Sequence, residues 1–367
     1  MANMAEVRSF FWAIYSDVFI CPSCAFLGAY VFSDVAGMYE LDEEALAEEV
    51  RRRGARRVVI QLPEGLKRFG PRLASVVEGA GAVALVLVDP CYGACGVAFQ
   101  EAVELDADLI VHYGHSRMLS EHPIPTIYFD ARMDVDLERP VREALKLLGG
   151  CRRVGVATTL QHVHKLNDVR RLLVDGGMDV VVGVSERTEY PGQVIGCDYG
   201  AVKSVEKEVD GFLFVGGRFH GLGAQLSTLK PVVVADPYEG RAYTLREDAD
   251  RMLRRRYADI AEAREAESFG VIVGVLPGQR RTRVAMEAKR MLEKAGRKAT
   301  LLAARYITPE ALSGFRTVEA FVNTACPRIS LDDAHRFERP ILTFRELMVM
   351  LGRLRWEDIC SGGWFGN

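Results

Sequence analysis

The chain has 367 residues, 49% of them hydrophobic and 26% charged, with a formal net charge of −3. This length suits two or three domains with cores of their own, and the balanced charge excludes a general attraction to nucleic acid. Short basic runs at residues 51–53, 254–256 and 279–283 read as solvated helix faces or local anion contacts.

The stretch "FFWAIYSDVFICPSCAFLGAYVF", residues 10–32, is apolar, but Asp17 and Pro22 interrupt it, which argues against a membrane span. Its "CPSC" is half of a zinc-ribbon spacing without a second pair close by. Residues 1–37 read as a packed extension, or as sequence upstream of a start at Met38. Next, "YELDEEALAEEVRRR" predicts a helix with acids first and bases last, the order the helix dipole favours.

A longer pattern then occurs three times. Stretches beginning at Arg57, Arg153 and Gly270 each read as a β-branched strand, a polar loop, an amphipathic helix, a glycine stop and a second strand. In the third, Val284, Ala288, Met291 and Leu292 keep helical spacing. Gly79, Gly176 and Gly296 fall where helix ends favour a left-handed residue. Two more apolar strands follow in each repeat, then a helical stretch at 135–148, 245–267 and 345–354. The reading is an α/β protein of three repeated units, each a mainly parallel four-stranded sheet flanked by helices. Residues 38–148, 149–267 and 268–367 form the units, arranged around a pseudo-threefold axis.

Eight cysteines lie at 21, 24, 91, 95, 151, 197, 326 and 360. Without a secretory signal of the usual shape, reduced thiols in a cytoplasmic protein are expected, and widely spaced cysteines become candidates for metal or redox work. In α/β sheets the loops beyond the carboxyl ends of the strands build the site. Cys95 in "DPCYGACG" follows the second strand of the first unit, and Cys197 in "PGQVIGCDYGAV" occupies the matching loop of the second. Cys326 in "VNTACPRIS" follows the third strand of the third unit. Separations of 102 and 129 residues exclude a local metal knuckle and suit three domains meeting at a centre. Three such thiolates hold three irons of a [4Fe-4S] cluster and leave the fourth iron open; a structural zinc on the same cysteines is the alternative. Gly93, Gly96, Gly192 and Gly196 let the backbone approach a bulky group. Cys21, Cys24, Cys151 and Cys360 are read as ordinary packed residues.

"QLPEGLK", "DPCYGACG", "TTLQHVHKL", "PGQVIGCDYGAV", "GGRFHG" and "VNTACPRIS", in this order, resemble the diphthamide synthase family in its archaeal homodimeric form, across about residues 38–355. The resemblance implies that Cys95, Cys197 and Cys326 are cluster ligands, with Cys91 an extra thiol. It further implies a transferase that passes the 3-amino-3-carboxypropyl group of S-adenosylmethionine to a histidine of translation elongation factor 2, by radical chemistry at the reduced cluster. Methylthioadenosine leaves, an electron donor is needed, and the enzyme is a homodimer without nucleic-acid or membrane partners. Quinolinate synthase shares the three-unit logic, but its local motifs are absent here. A non-catalytic electron-relay or scaffold subunit is the other alternative, against which the presence of all three cysteines argues.

Further candidates surround the cysteines. Arg218 and His220, with Gly217, in "GGRFHG" are expected to pair with the substrate carboxylate and to hydrogen-bond or carry a proton. Gly278 and Gln279 in "LPGQRR" form a turn suited to an anionic group. Gln161, in "QHVHK", is expected to contact the cofactor, and His162 and His164 read as substrate contacts or caps rather than a metal pair. Glu64 reads as a helix cap, and Asp236 and Tyr238 as supporting groups.

Overall fold

Thirteen strands in three sheets organise residues 38–361 and 364, the part of the chain that the computed structural model describes. The apolar stretch at 10–32 and Cys21 and Cys24 lie outside the described residues, as does the reading of residues 1–37. Among the described residues no helix is long and apolar enough to cross a membrane.

The first sheet contains β1 (Arg57–Gln61), β2 (Val83–Val86), β3 (Leu109–Tyr113) and β4 (Thr126–Phe129), in the order β2-β1-β3-β4, all parallel. The third repeats that order with β10 (Ser268–Gly274), β11 (Lys298–Ala304), β12 (Ala320–Asn323) and β13 (Ile341–Thr343), again all parallel. The runs "VVI", "LIVHY" and "AFVN" are buried on both faces, as inner parallel strands must be.

The middle sheet departs from four strands. Beside β5 (Arg153–Thr158), β6 (Asp179–Val182), β7 (Gly211–Val215) and β8 (Val232–Asp236) it adds β9 (Arg241–Thr244), antiparallel to β8. "ADPYEGR" therefore does not simply end the sheet: it turns back, with Gly240 at φ 63°. The left-handed residues after the second repeat's helix and the first's are likewise not those expected. Gly81 (φ 95°) and Gly177 (φ 83°) make the turns, whereas Gly79 is the last residue of its helix and Gly176 caps its helix at φ −78°. Gly296 (φ 78°) is left-handed as read. In the first two repeats a second glycine lies just beyond the helix end, and the left-handed turn falls on that later one.

From Glu40 onward the chain is one compact unit. Its linking helices pack forward: Glu138–Leu147 lies on β8 and β9 of the next sheet, and Ala242 donates its N–H to Glu143 Oε2 at 3.1 Å. Helix Arg246–Glu265 buries Ile260 and Ala263 among Phe269, Val271 and Leu292 of the third segment. Glu43–Arg53, ahead of β1, packs on helix Gly70–Gly79 beside the first sheet.

The basic run at 254–256 is only partly solvated. Arg254 and Arg255 are exposed, but Arg256 is fully buried. Its Nε and one Nη grip both oxygens of Glu346, itself 0% exposed, at 2.6 and 2.8 Å, and that Nη also donates to the Ile341 carbonyl at 2.9 Å. Glu346 in turn closes a capping box with Thr343 at the start of helix Phe344–Met350. Arg256 also pairs with Asp259; removing the guanidinium strands Glu346 in a low dielectric, at a cost of about 3–5 kcal/mol. Thermal melting is expected to show a large loss of stability in Arg256→Ala and little change in Arg254→Ala; equal, small effects would contradict this account.

Candidate functional site

In all three sheets the strand order reverses between the first and third strands, the switch point at whose carboxyl side α/β proteins place ligands. The register puts Gln61 beside His112 there, Thr158 beside Val215, and Ile272 beside Asn323. The loops leaving these points carry the candidate residues.

Cys95 lies in a single 3-10 turn, Ala94–Gly96, beyond β2. Cys197 follows β6 on a loop drawn back across its sheet by the parallel bridge between Gln193 and Thr158. Cys326 caps the short helix Pro327–Asp332 after β12. The structure brings all three together. Each is partly open at its surface yet deep in protein mass, and burial raises each thiol. For Cys326, burial and then the neighbouring Cys95 and Cys197 push it up to about 12. Cys95 also raises Cys197, so each pair of the three sulfurs lies within electrostatic reach.

The third segment closes on Cys95. A Cβ on Gly278 would lie 2.6 Å from Cys95 Cα and 2.8 Å from its Cβ, so only glycine permits this approach. Gln279 Nε2 donates to Cys95 Sγ at 3.4 Å. A small cleft of about 10 Å³ lies beside the sulfur, lined in part by Gln61, Tyr92, Gln279, Arg305 and Tyr306. At Cys326, Asn323 Nδ2 donates to the cysteine carbonyl at 2.7 Å and its Oδ1 accepts Ala325 N–H at 2.9 Å.

Every pair of segments is bridged near the thiols. Gln193 Nε2 donates to Ser116 Oγ at 2.7 Å, tying the Cys197 loop to the first segment. Arg328, two residues after Cys326, stacks 3.8 Å above the Phe219 ring and donates to the Phe219 carbonyl at 3.0 Å, tying the third segment to the second. Gly278 and Gln279 tie the third to the first.

The other candidates take varied places. His220 sits in this interior, and burial, then Arg328 and His115, lower it to about 3, so at ordinary pH it is the neutral imidazole and not the imidazolium. Arg218 is half exposed and pairs with Asp248 at 2.6 Å, so a substrate carboxylate must displace that partner. Gly217 lies against Tyr238, 3.7 Å from its ring when given a Cβ. Gln161 is engaged within the fold: Nε2 donates to the Gly114 carbonyl at 3.0 Å, and its backbone carbonyl accepts Met133 N–H. His162 is buried and meets Tyr238 Oη at 3.0 Å, whereas His164 is exposed. Asp236 accepts the Tyr243 hydroxyl at 2.6 Å and the Tyr238 N–H at 2.9 Å, a supporting role. Glu64 pairs with Lys67 at 2.6 Å and makes no side-chain cap bond.

Sequence reasoning missed Gln61, His112 and His115. Their signals were a polar residue closing an apolar strand and two histidines three apart beyond another, both too common to stand alone. Gln61 Oε1 accepts from the ring of His112 at 2.9 Å, and His112 Nε2 lies 3.0 Å from His115 Nδ1.

A family model described as putative diphthamide synthesis protein matches residues 62–360. The 2-(3-amino-3-carboxypropyl)histidine synthase of Pyrococcus horikoshii is 37% identical over 333 residues, covering 89% of this chain and 95% of that one. Subunit 1 of the corresponding synthase of Schizosaccharomyces pombe is 30% identical over 321 residues, with 84% and 73% coverage. Among solved structures, that of Dph2 from Pyrococcus horikoshii with a 4Fe-4S cluster superposes with a TM-score of 0.80 at 36% identity, over 87% of this chain and 92% of that one. The chain belongs to the diphthamide synthesis family of transferases.

Proposed function

We propose that this chain is a 2-(3-amino-3-carboxypropyl)histidine synthase that modifies a histidine of translation elongation factor 2 in the first step of diphthamide synthesis. The observation that carries the reading is the meeting of Cys95, Cys197 and Cys326 from three separate sheets, within electrostatic range of one another. Three thiols raised by burial, two of them also by cysteine neighbours, fit a cationic group that takes them as thiolates. The Gln279 amide on the Cys95 sulfur fits a sulfur that becomes a thiolate ligand. A [4Fe-4S] cluster meets these requirements, and the named relatives support it.

A bound, reduced cluster would supply the single electron for breaking the sulfonium's bond to the aminocarboxypropyl group of S-adenosylmethionine, with methylthioadenosine as leaving group and substitution at the histidine ring completed by loss of one electron and the ring proton. The protein's part is orientation, because the sulfonium has three carbon–sulfur bonds and the one held nearest the electron source breaks. Cys95, Cys197 and Cys326 would fix the cluster from three sides and leave the fourth open. Gln279 would donate its N–H to the Cys95 thiolate, the kind of outer hydrogen bond that tunes such a sulfur. Asn323 holds the backbone around Cys326, and Arg328 locks that loop onto Phe219. His220, neutral and interior, is suited to accept or donate a hydrogen bond without adding charge. Arg218, with Gly217, would receive the substrate carboxylate by exchanging Asp248 for it. Gln161 would act indirectly, by holding Gly114. The three sheets would surround the cluster as three units about a pseudo-threefold axis, in a cytoplasmic homodimer served by an electron donor.

Cys95→Ala, Cys197→Ala and Cys326→Ala are each expected to lose the cluster's iron and its brown absorbance, whereas Cys91→Ala retains them. Parent-like iron in any of the first three removes that residue from the ligand set. Gly278→Ala places a methyl group within 3.0 Å of Cys95 backbone and side-chain carbons, and is expected to lower iron content without greatly shifting the melting temperature. Mass spectrometry of elongation factor 2 after anaerobic incubation with reduced enzyme and S-adenosylmethionine is expected to find one aminocarboxypropyl group on one histidine. An unmodified factor with an intact cluster would favour the scaffold reading.

A further inference from the structure

Cys91 has so far had no role, and neither have His112 and His115. Cys91 is 4% exposed and His112 0%. Donor atoms of Cys91, His112 and His115 all lie within 4.8 Å of one another. The three come from the loop after β2 and the end of β3, so the first segment alone builds the cluster.

Hydrogen bonding fixes how His112 presents itself. Gln61 Nε2 donates to the Gly96 carbonyl at 2.8 Å, and Gln61 Oε1 accepts Ala98 N–H at 3.2 Å, so the amide orientation is set by the backbone just beyond Cys95. That Oε1 also faces His112 Nδ1 at 2.9 Å, and an oxygen can only accept. His112 therefore carries its proton on Nδ1, and its Nε2 lone pair points toward His115. A histidine whose far ring nitrogen donates to a fixed acceptor, leaving the other as an inward lone pair, has the arrangement of a metal ligand with its orienting partner.

We propose that Cys91, His112 and His115 form a mononuclear site for a divalent transition-metal ion of the zinc class, separate from the three-cysteine centre. One sulfur and two imidazole nitrogens are a donor set that such ions accept, with water in the fourth position. Typical metal–sulfur and metal–nitrogen lengths place tetrahedral donors about 3.3–3.6 Å apart. His112 Nε2 and His115 Nδ1, now 3.0 Å apart, would open by a few tenths of an ångström, and the widest separation would close by about 1 Å. Binding releases the Cys91 thiol proton, and His115 shifts its ring proton so that a lone pair faces the ion. The ion clamps the loop carrying Cys91 and Cys95 onto the end of β3, bracing the presentation of Cys95.

The test is a cobalt(II) titration of the anaerobically purified full-length protein, read as the difference spectrum for thiolate-to-cobalt charge transfer and ligand-field bands. One equivalent is expected to bind in the parent and in Cys95→Ser, with the charge-transfer band lost in Cys91→Ser and the affinity at least about tenfold weaker in His115→Gln. Gln61→Leu, which leaves all three ligands but removes the orienting acceptor, is expected to weaken binding about 10–100-fold. Circular dichroism melting of each variant separates ligand loss from unfolding. No cobalt bound by the parent, an unchanged band in Cys91→Ser, or a band lost in folded Cys95→Ser would overturn the proposal; the last would place cobalt on the three-cysteine centre instead.

Discussion

Three thiols lie within electrostatic reach of one another, and burial outweighs the guanidinium groups that favour their ionised forms, Arg187 and Arg281 at Cys197 and Arg328 at Cys326. Burial raises all three, and Cys326 reaches about 12 through burial and its two neighbours. Such an arrangement is costly in the metal-free chain and becomes favourable when a cationic group converts the thiols to ligands. The surrounding structure resists their drifting apart: Gly278 against Cys95, Gln193 on Ser116, and Arg328 on Phe219 each join a different pair of segments.

The sheets make this convergence feasible because their four parallel strands keep one order and one switch point, the middle sheet adding only an antiparallel edge strand. The route from sheet to thiol is not the same, however. Cys95 and Cys197 follow second strands, which lie at sheet edges, whereas Cys326 follows a third strand beside the centre. The first two therefore travel on longer loops, and each loop is tied back, one through Gln61 and the other through Gln193. Forward packing of helices Glu138–Leu147 and Arg246–Glu265 onto the following sheets adds apolar joints between successive segments.

Much of this was legible because inner parallel strands read as short apolar runs, and a run followed by a loop, an amphipathic helix and another run is hard to mistake when it recurs. The three cysteines stood out through position in that recurrence. What stayed hidden depended on tertiary partners. Arg256 shares a basic run with two exposed arginines, and only Glu346, ninety residues away, explains its burial. The return of β9 depends on a turn at Gly240 that the preceding aspartate and proline made look like a strand's end. Arg218 looked free until Asp248 was seen beside it. Gln61 and His112 lie on different strands of the first repeat, 51 residues apart, and are brought side by side by strand register.

The central claim is that the three cysteines hold a centre whose electron is directed at one particular bond of S-adenosylmethionine. Its most direct test is to reduce the anaerobic protein, add S-adenosylmethionine alone and identify the nucleoside released by mass spectrometry. Methylthioadenosine, formed only with reduced, cluster-bearing protein, is the result this account requires. 5′-Deoxyadenosine would show that a different carbon–sulfur bond is held toward the centre, and would contradict it.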